Sequence, residues 1–197
     1  MLAINHEIRL SFEEYQSELV KAEQFHGHLC PGMYNGVKMS QLARVLLAYP
    51  SFPTKDLIVV VEIDRCLTDA ICSVTGCKLG RRTLKFRDYG KFAATFCSLE
   101  RKQGFRLAQL ESAFAAMDTE MQARGIDKHH PDAPRVFFDY PWQKQFSAAV
   151  VDVTFDDNDL PGFPKERHTC TICHEPIMDG RHVVKNGKTF CRPCAGT

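Results

Sequence analysis

Cys170-Thr171-Ile172-Cys173 and Cys191-Arg192-Pro193-Cys194 set two pairs of thiols on two tight turns, with seventeen residues between the pairs. No other feature limits the fold of its segment so strongly, because four thiolates at this spacing close a tetrahedron around Zn²⁺. In the spacer, Asp179-Gly180 and Asn186-Gly187 are hairpin-turn dipeptides around short strands such as His182 to Lys185. So short a lobe cannot bury enough apolar surface to fold alone. Zinc contributes about 10 to 16 kcal/mol of apparent binding free energy in comparable peptides, which couples metal to fold. The expectation is a zinc-ribbon or treble-clef-like finger over residues 166–197, with Cys170, Cys173, Cys191 and Cys194 as a closed, structural zinc site. Two other readings exist: Cys170 to His174 matches the CxxCH of c-type haem attachment, and four thiolates also suit a rubredoxin-like iron. Haem leaves the second pair unexplained. His168, His174 and His182 read as surface residues, since four cysteines already fill the shell.

Ahead of the finger, Asp156-Asp157-Asn158-Asp159 and Pro161-Gly162-Phe163-Pro164 form a composition break that reads as a linker, leaving residues 1–160 as a core domain. With 44% apolar residues, 25% charged residues and a net charge of +1, the chain has the make-up of a soluble globular protein with no nucleic acid partner. The longest apolar runs, Leu57 to Val61 and Ala148 to Val151, fall far short of the about 20 residues that cross a bilayer, so no membrane association is expected. The first residues lack a basic region followed by an apolar core, which points to the cytoplasm. Nine cysteines cannot all pair within one chain. In a reducing compartment they serve metal binding or thiol chemistry.

Within the core, Ser11 and Glu14 make a capping box ahead of a helix from about Phe12 to Gln24, with Phe12, Tyr15, Leu19 and Ala22 on one face. Pro31 suits the first position of a second helix, which carries Val37, Leu42, Val45 and Leu46 to a stop at Pro50. Leu57 to Asp64 reads as a strand covered by helices on both faces. Thr68-Asp69 cap a short helix ending near Gly76; Thr83 to Arg87 and Lys91 to Leu99 read as a hairpin through Asp88-Tyr89-Gly90. Gly104 to Gln109 is a further strand. Leu110 to Ala123 is an amphipathic helix closed by Gly125, with Leu110, Phe114, Met117 and Met121 inward. Asp127 to Arg135 reads as a loop, and Tyr140 to Phe155 as a last helical or extended segment.

The core's chemistry gathers at Phe25-His26-Gly27-His28-Leu29-Cys30-Pro31-Gly32. With Pro31 at the first helical position, Cys30 is the N-cap, where free amides and the helix dipole favour a thiolate. A second group follows the apolar strand: Cys66, Asp69, Cys72 and Cys77, at the end of a strand where sites collect in α/β arrangements. Cys72 and Cys97 read as small core residues. The expected core site has His28, Cys30 and Cys66 as ligands of a second transition metal, with Cys77 able to join them. His26 or Asp69 orients a ligand or moves a proton, and Lys91 balances charge, so that Cys30, His26, Asp69 and Lys91 are the candidate catalytic residues.

These residues carry a resemblance. Phe25-His26-Gly27-His28-x-Cys30-Pro31-Gly32 with Gly36, Cys66-x-x-Asp69-Ala70, Thr75-Gly76-Cys77-x-x-Gly80, Asp88-x-Gly90-Lys91 and the terminal knuckles with Glu175 resemble the FmdE family, named for a component of the molybdenum formylmethanofuran dehydrogenase. The resemblance spans nearly the whole chain, in order. It implies an α+β core with its site around the His/Cys stretch, a C-terminal zinc finger and homodimers. It further implies a redox or one-carbon role alongside partner subunits, with a molybdenum or tungsten cofactor held only by a partner enzyme. His174 stands where the family's knuckle commonly has glycine, and the segment from Gly125 to Trp142 is longer than the family's. A non-catalytic assembly or protein-interaction subunit, built around the zinc finger, is the competing reading.

Overall fold

The computed structural model describes residues 8–197, and the chain divides into two compact units, one ending at Val153 and the other starting at Thr154. The first is a mixed α+β unit. Its elements run α1 (Phe12–His26), α2 (Pro31–Leu46), β1 (Leu57–Val61), α3 (Cys66–Thr75), β2 (Leu84–Phe86), β3 (Ala93–Ser98), β4 (Gln103–Gln109), α4 (Glu111–Ala123), α5 (Ala133–Asp139), α6 (Trp142–Gln145) and β5 (Phe146–Asp152). One five-stranded sheet has the order β2-β1-β3-β4-β5, in which only the β1–β2 pair is parallel.

Helix α2 is the axis of this unit, buried at every residue from Gly32 to Ala43. One side, with Met39, Leu42 and Ala43, joins Leu57, Val59 and Val61 of β1, Phe96 and Leu107 in a core against the sheet. The other side, with Met33, Tyr34 and Val37, joins Tyr15, Leu19 and Ala22 of α1, Met117 of α4 and Phe137 of α5 in a second core. Ile58 and Val60 point to the opposite face of the sheet and lie outside both cores, so helices cover β1 as expected on one face. A charged group sits deep in this packing: Lys38 donates to the carbonyls of Phe137 and Tyr140 and to Oε1 of Gln145, whose Nε2 donates to Asn35 at 2.6 Å. Three acceptors use all three ammonium protons, and burial pushes the Lys38 amine down to about 7.

Tertiary contacts overrode the local signals at several points. Ser11 accepts from the amide of Glu14 at 3.2 Å, but the Glu14 carboxylate does not close the capping box; it pairs with Arg44 on α2. Helix α3 starts earlier than Thr68-Asp69 implies, with Arg65 as N-cap, because the Thr68 hydroxyl donates to the Ile63 carbonyl and Asp69 is engaged with His26. The hairpin between β2 and β3 does not form. β1 lies between them, and β1, α3 and β2 make a parallel crossover. The Asp88 to Lys91 stretch instead crosses the end of β1, where the amides of Tyr89 and Lys91 both donate to the Glu62 carbonyl. The Asp127 to Arg135 segment is loop only as far as Asp132, after which α5 begins.

The second unit holds β6 (Arg167–Thr169) paired with β7 (Pro176–Met178), β8 (His182–Lys185) paired with β9 (Lys188–Cys191), and the single turn α7 (Arg192–Ala195). The acidic segment expected to be linker folds with it: Asp159 pairs with Arg181, and Asn158 donates to Glu166 at 3.2 Å. No helix among the described residues is long and apolar enough to cross a membrane.

Two consequences are measurable. A Cβ on Gly36 would stand 2.5 Å from the Ala70 Cβ and 2.8 Å from the Leu67 carbonyl oxygen, so Gly36→Ala must part α2 from α3. It is expected to cost about 2 kcal/mol, read as a lower urea midpoint; an unchanged midpoint would show that this contact yields freely. Burial raises the Glu18 carboxyl to about 7, with Glu14 adding to the rise. Its folded value is above its unfolded value, so the folded state loses stability as pH climbs from about 4.5 through about 7, and the loss is complete above that. Glu18→Gln should therefore match the parent near pH 4.5 and exceed it near pH 8, by about 1 kcal/mol after discounting for partial exposure. A gap independent of pH in parallel urea titrations would rule out this origin.

Candidate metal centres

The core centre is built by two helix ends and a turn. Gly27 closes α1 in the left-handed region, φ 100°, which frees the chain to reverse directly after His26. Three residues later Cys30 is the N-cap of α2, in extended conformation, with Pro31 behind it and no side-chain capping bond to occupy its sulfur. The reversal sets the rings of His26 and His28 4.7 Å apart, and one ligand atom from each of His26, His28 and Cys30 falls within 4.8 Å of the others. His28 is exposed, while His26 and Cys30 are partly buried.

Helix α3 supports this group from the side. Asp69, in its first turn, bonds His26 Nδ1 through Oδ2 at 2.8 Å. That bond fixes the ring and its tautomer, with the proton on Nδ1 and the lone pair on Nε2. His26 Nε2 is buried and has no hydrogen-bond partner. A buried imidazole nitrogen with its lone pair unused, beside a second imidazole and a thiol, is what a metal ligand looks like before the ion is counted. Cys66 opens α3 beside Cys30; burial, then this neighbouring thiol, push its own thiol up. The two cysteines meet because Gly32 lets α3 come close: a Cβ there would be 2.9 Å from the Cys66 Cβ and 3.7 Å from the Cys30 Sγ.

The other candidates stand elsewhere. Cys77 is buried in the sheet-side core, and its thiol is directed at the Leu57 carbonyl, 3.8 Å away. It does not join Cys30 and Cys66, because α3 separates its two ends and Gly76 turns the chain back toward the sheet. Lys91 is exposed in the loop before β3, where its amide donates to the Glu62 carbonyl at 3.1 Å. Burial raises the thiols of Cys72 and Cys97 to about 11 and about 12, as befits small core residues. Sequence reasoning placed His28, Cys30 and Cys66 in the ligand set and gave His26 the choice of orienting or moving a proton. The geometry makes His26 a ligand candidate and Asp69 its positioning residue.

In the finger, the sulfurs of Cys170, Cys173, Cys191 and Cys194 lie within 4.8 Å of one another, and Cys173 and Cys191 are 3.8 Å apart. Zinc–sulfur bonds of about 2.3 Å put tetrahedral ligands about 3.8 Å apart, so the quartet fits the ion. The Cys173 and Cys191 amides hold the Cys170 thiol down to about 6. His174 takes the left-handed conformation, φ 60°, that its knuckle requires and that glycine takes more easily. Asn186-Gly187 forms the expected hairpin turn between β8 and β9, whereas Asp179-Gly180, also at positive φ, turns the chain from β7 to β8, which belong to different strand pairs. Beside the quartet lies a group that sequence reasoning missed: Glu166, His168 and His182, one ligand atom from each within 4.8 Å of the others. The alternation of Glu166 and His168 on one face of a strand was legible, whereas His182 comes from a different strand pair.

An α+β domain with a His/Cys centre, followed by a four-cysteine zinc finger, is the class these features define. Residues 25–155 match the family described as "FmdE, Molybdenum formylmethanofuran dehydrogenase operon", and residues 164–197 match "Prokaryotic dksA/traR C4-type zinc finger". The chain belongs to the FmdE family. It is 37% identical over 199 residues to a protein of Archaeoglobus fulgidus named "Probable S-adenosyl-L-methionine-binding protein", covering 91% of this chain and 52% of that one. The chain thus spans about half the length of the curated relative it matches. Its fold is similar to the crystal structure of a tungsten formylmethanofuran dehydrogenase FmdE-like protein from Syntrophus aciditrophicus, with a TM-score of 0.62, 19% identity and 92% of each chain covered.

Because zinc holds the finger's turns together and the core rests on its own apolar clusters, a strong chelator should unfold the finger alone. In amide-resolved NMR spectra, signals of residues 166–195 are expected to collapse while those of α1 to β5 keep their dispersion. Retention of the finger's signals in metal-free protein would refute the coupling.

Proposed function

We propose that this protein is a metal-dependent member of the FmdE family, in which His26, His28 and Cys30 hold a transition-metal ion in the core and the C-terminal zinc is structural. The observation that carries the reading is the buried Nε2 of His26, left without a partner while Asp69 fixes the other side of its ring. Two imidazoles and a thiolate suit zinc, nickel, iron or copper. Cys66, which faces Gly32 beside Cys30 but lies outside the group of three, is a second thiol at the open side of the centre. When bound, the ion supplies Lewis acidity or an electron-transfer step; Asp69 keeps the His26 lone pair directed at it, and the exposed side of His28 leaves the centre open to a substrate or partner.

The family name motivates a redox or one-carbon role beside a molybdenum or tungsten enzyme that itself holds that metal; we further propose that the protein works in the cytoplasm as a homodimer with partner subunits. A second reading takes its motive from the Archaeoglobus fulgidus relative: the core binds S-adenosyl-L-methionine, whose sulfonium and carboxylate groups would meet the same open centre. Calorimetric titration with that compound distinguishes the two, since in the first reading it gives no heat.

Element analysis of the full chain, purified without oxygen and freed of loose ions, tests the main reading. Two metals per chain are expected, falling to one in Cys30→Ser with the finger still loaded. Asp69→Asn should weaken the core metal by about 10 to 100-fold and leave the finger's zinc in place. One metal per chain, unchanged by Cys30→Ser, overturns the proposal.

A further inference from the structure

Glu166, His168 and His182 lie outside both centres described so far and are not used by either. Glu166 immediately precedes β6, His168 lies within it, and His182 opens β8. The two imidazole rings lie against each other at a tilt, 3.8 Å between centroids and 36° between planes, and His168 Nε2 is 3.4 Å from Glu166 Oε2. Three further observations bear on what they do. His182 Nδ1 is buried and has no hydrogen-bond partner. The second Glu166 oxygen, Oε1, accepts from Asn158 Nδ2 at 3.2 Å, so the carboxylate is oriented by a neighbour as metal-ligating carboxylates are. The scaffold is held by the finger's own ligands: His168 is two residues ahead of Cys170, and His182 is paired in register with Cys191.

We infer that these three side chains form a separate binding site for a borderline divalent cation, zinc foremost, with two imidazole nitrogens and one carboxylate oxygen as ligands. Donors of this kind suit zinc, nickel or cobalt, and three of them leave a place for water. Half-exposed Glu166 and His168 give solvent access. The ligand atoms already lie within 4.8 Å of one another, whereas donors on a four-coordinate zinc are about 3.3 Å apart, so small rotations of the side chains close the set. A plain hydrogen bond between Glu166 and His168 accounts for two of the three residues; it leaves the buried His182 nitrogen unexplained. Unlike the closed cysteine quartet, this site exchanges its ion freely, and the finger would thereby respond to the supply of metal.

Equilibrium dialysis of the full chain against micromolar free zinc provides the test, with ¹⁵N spectra of the histidine rings as a second readout. Wild-type protein is expected to bind one more zinc than His182→Ala or His168→Ala, and zinc should shift the ring nitrogens of both residues. Glu166→Gln keeps the finger's turns and should lower the affinity of this site about tenfold or more. Cys30→Ser, which touches only the core centre, leaves this zinc in place, so failure here and failure of the core reading are told apart. Equal zinc counts in wild type and both histidine variants, with ring signals that ignore added zinc while the cysteine quartet is loaded, overturn the proposal.

Discussion

The close contact between α2 and α3 is the interaction on which the rest of the core depends. Gly32 and Gly36 leave out the side chains that would collide with Cys66 and Ala70, so the two helices approach backbone to side chain. That approach buries α2 from Gly32 to Ala43, lets it serve as a wall to both apolar cores, and joins the sheet to the outer helices. It also brings the first turns of the two helices together. Cys30 and Cys66 become neighbours, and Asp69 comes to hydrogen bond His26 across 43 residues of sequence. Packing and site are thus consequences of the same missing Cβ atoms.

The finger's cysteine quartet and the candidate core centre follow opposite physical plans. The finger has little apolar interior, with Cys170 and Ile177 as its buried apolar residues among those described, so the ion is its core and the four sulfurs are arranged around that need. The helical unit has a large core without any ion, and its His/Cys group sits at the edge of that core, where an exposed His28 and partly buried His26 and Cys30 meet solvent. An ion held there, as proposed, would add chemistry more than stability. Lys38 shows the same unit tolerating a buried amine because three acceptors are supplied from α5, the turn after it and Gln145.

Much of the fold was legible because its signals are local. The helix faces through Tyr15, Leu19 and Ala22 and through Met117 and Met121, the N-cap role of Cys30, the end of α3 at Gly76 and the turns of the finger all follow from residues within a turn of one another. Strand pairing was not. β2 and β3 are neighbours in sequence and carry a turn signal between them, yet the apolar run of β1 takes the central place, with both as its partners. The same limit explains the sites. Spacing alone identified the cysteine quartet and the His26 to Cys30 stretch, but Cys77, close to Cys66 in sequence, belongs to the opposite end of a helix and a different core.

By itself the sequence determined most helices and strands as far as α4, the four thiolates that residues 166–197 need to fold, and the imidazoles and thiol that crowd the start of the second helix. Only the tertiary structure decided that β1 separates β2 from β3, that Asp69 orients His26 with its far nitrogen unpartnered, and that Glu166, His168 and His182 share one corner of the finger. The physical reason is range. Capping, turns and periodicity act within about one helical turn, whereas a ligand set gathers side chains through backbone approaches that depend on the whole core.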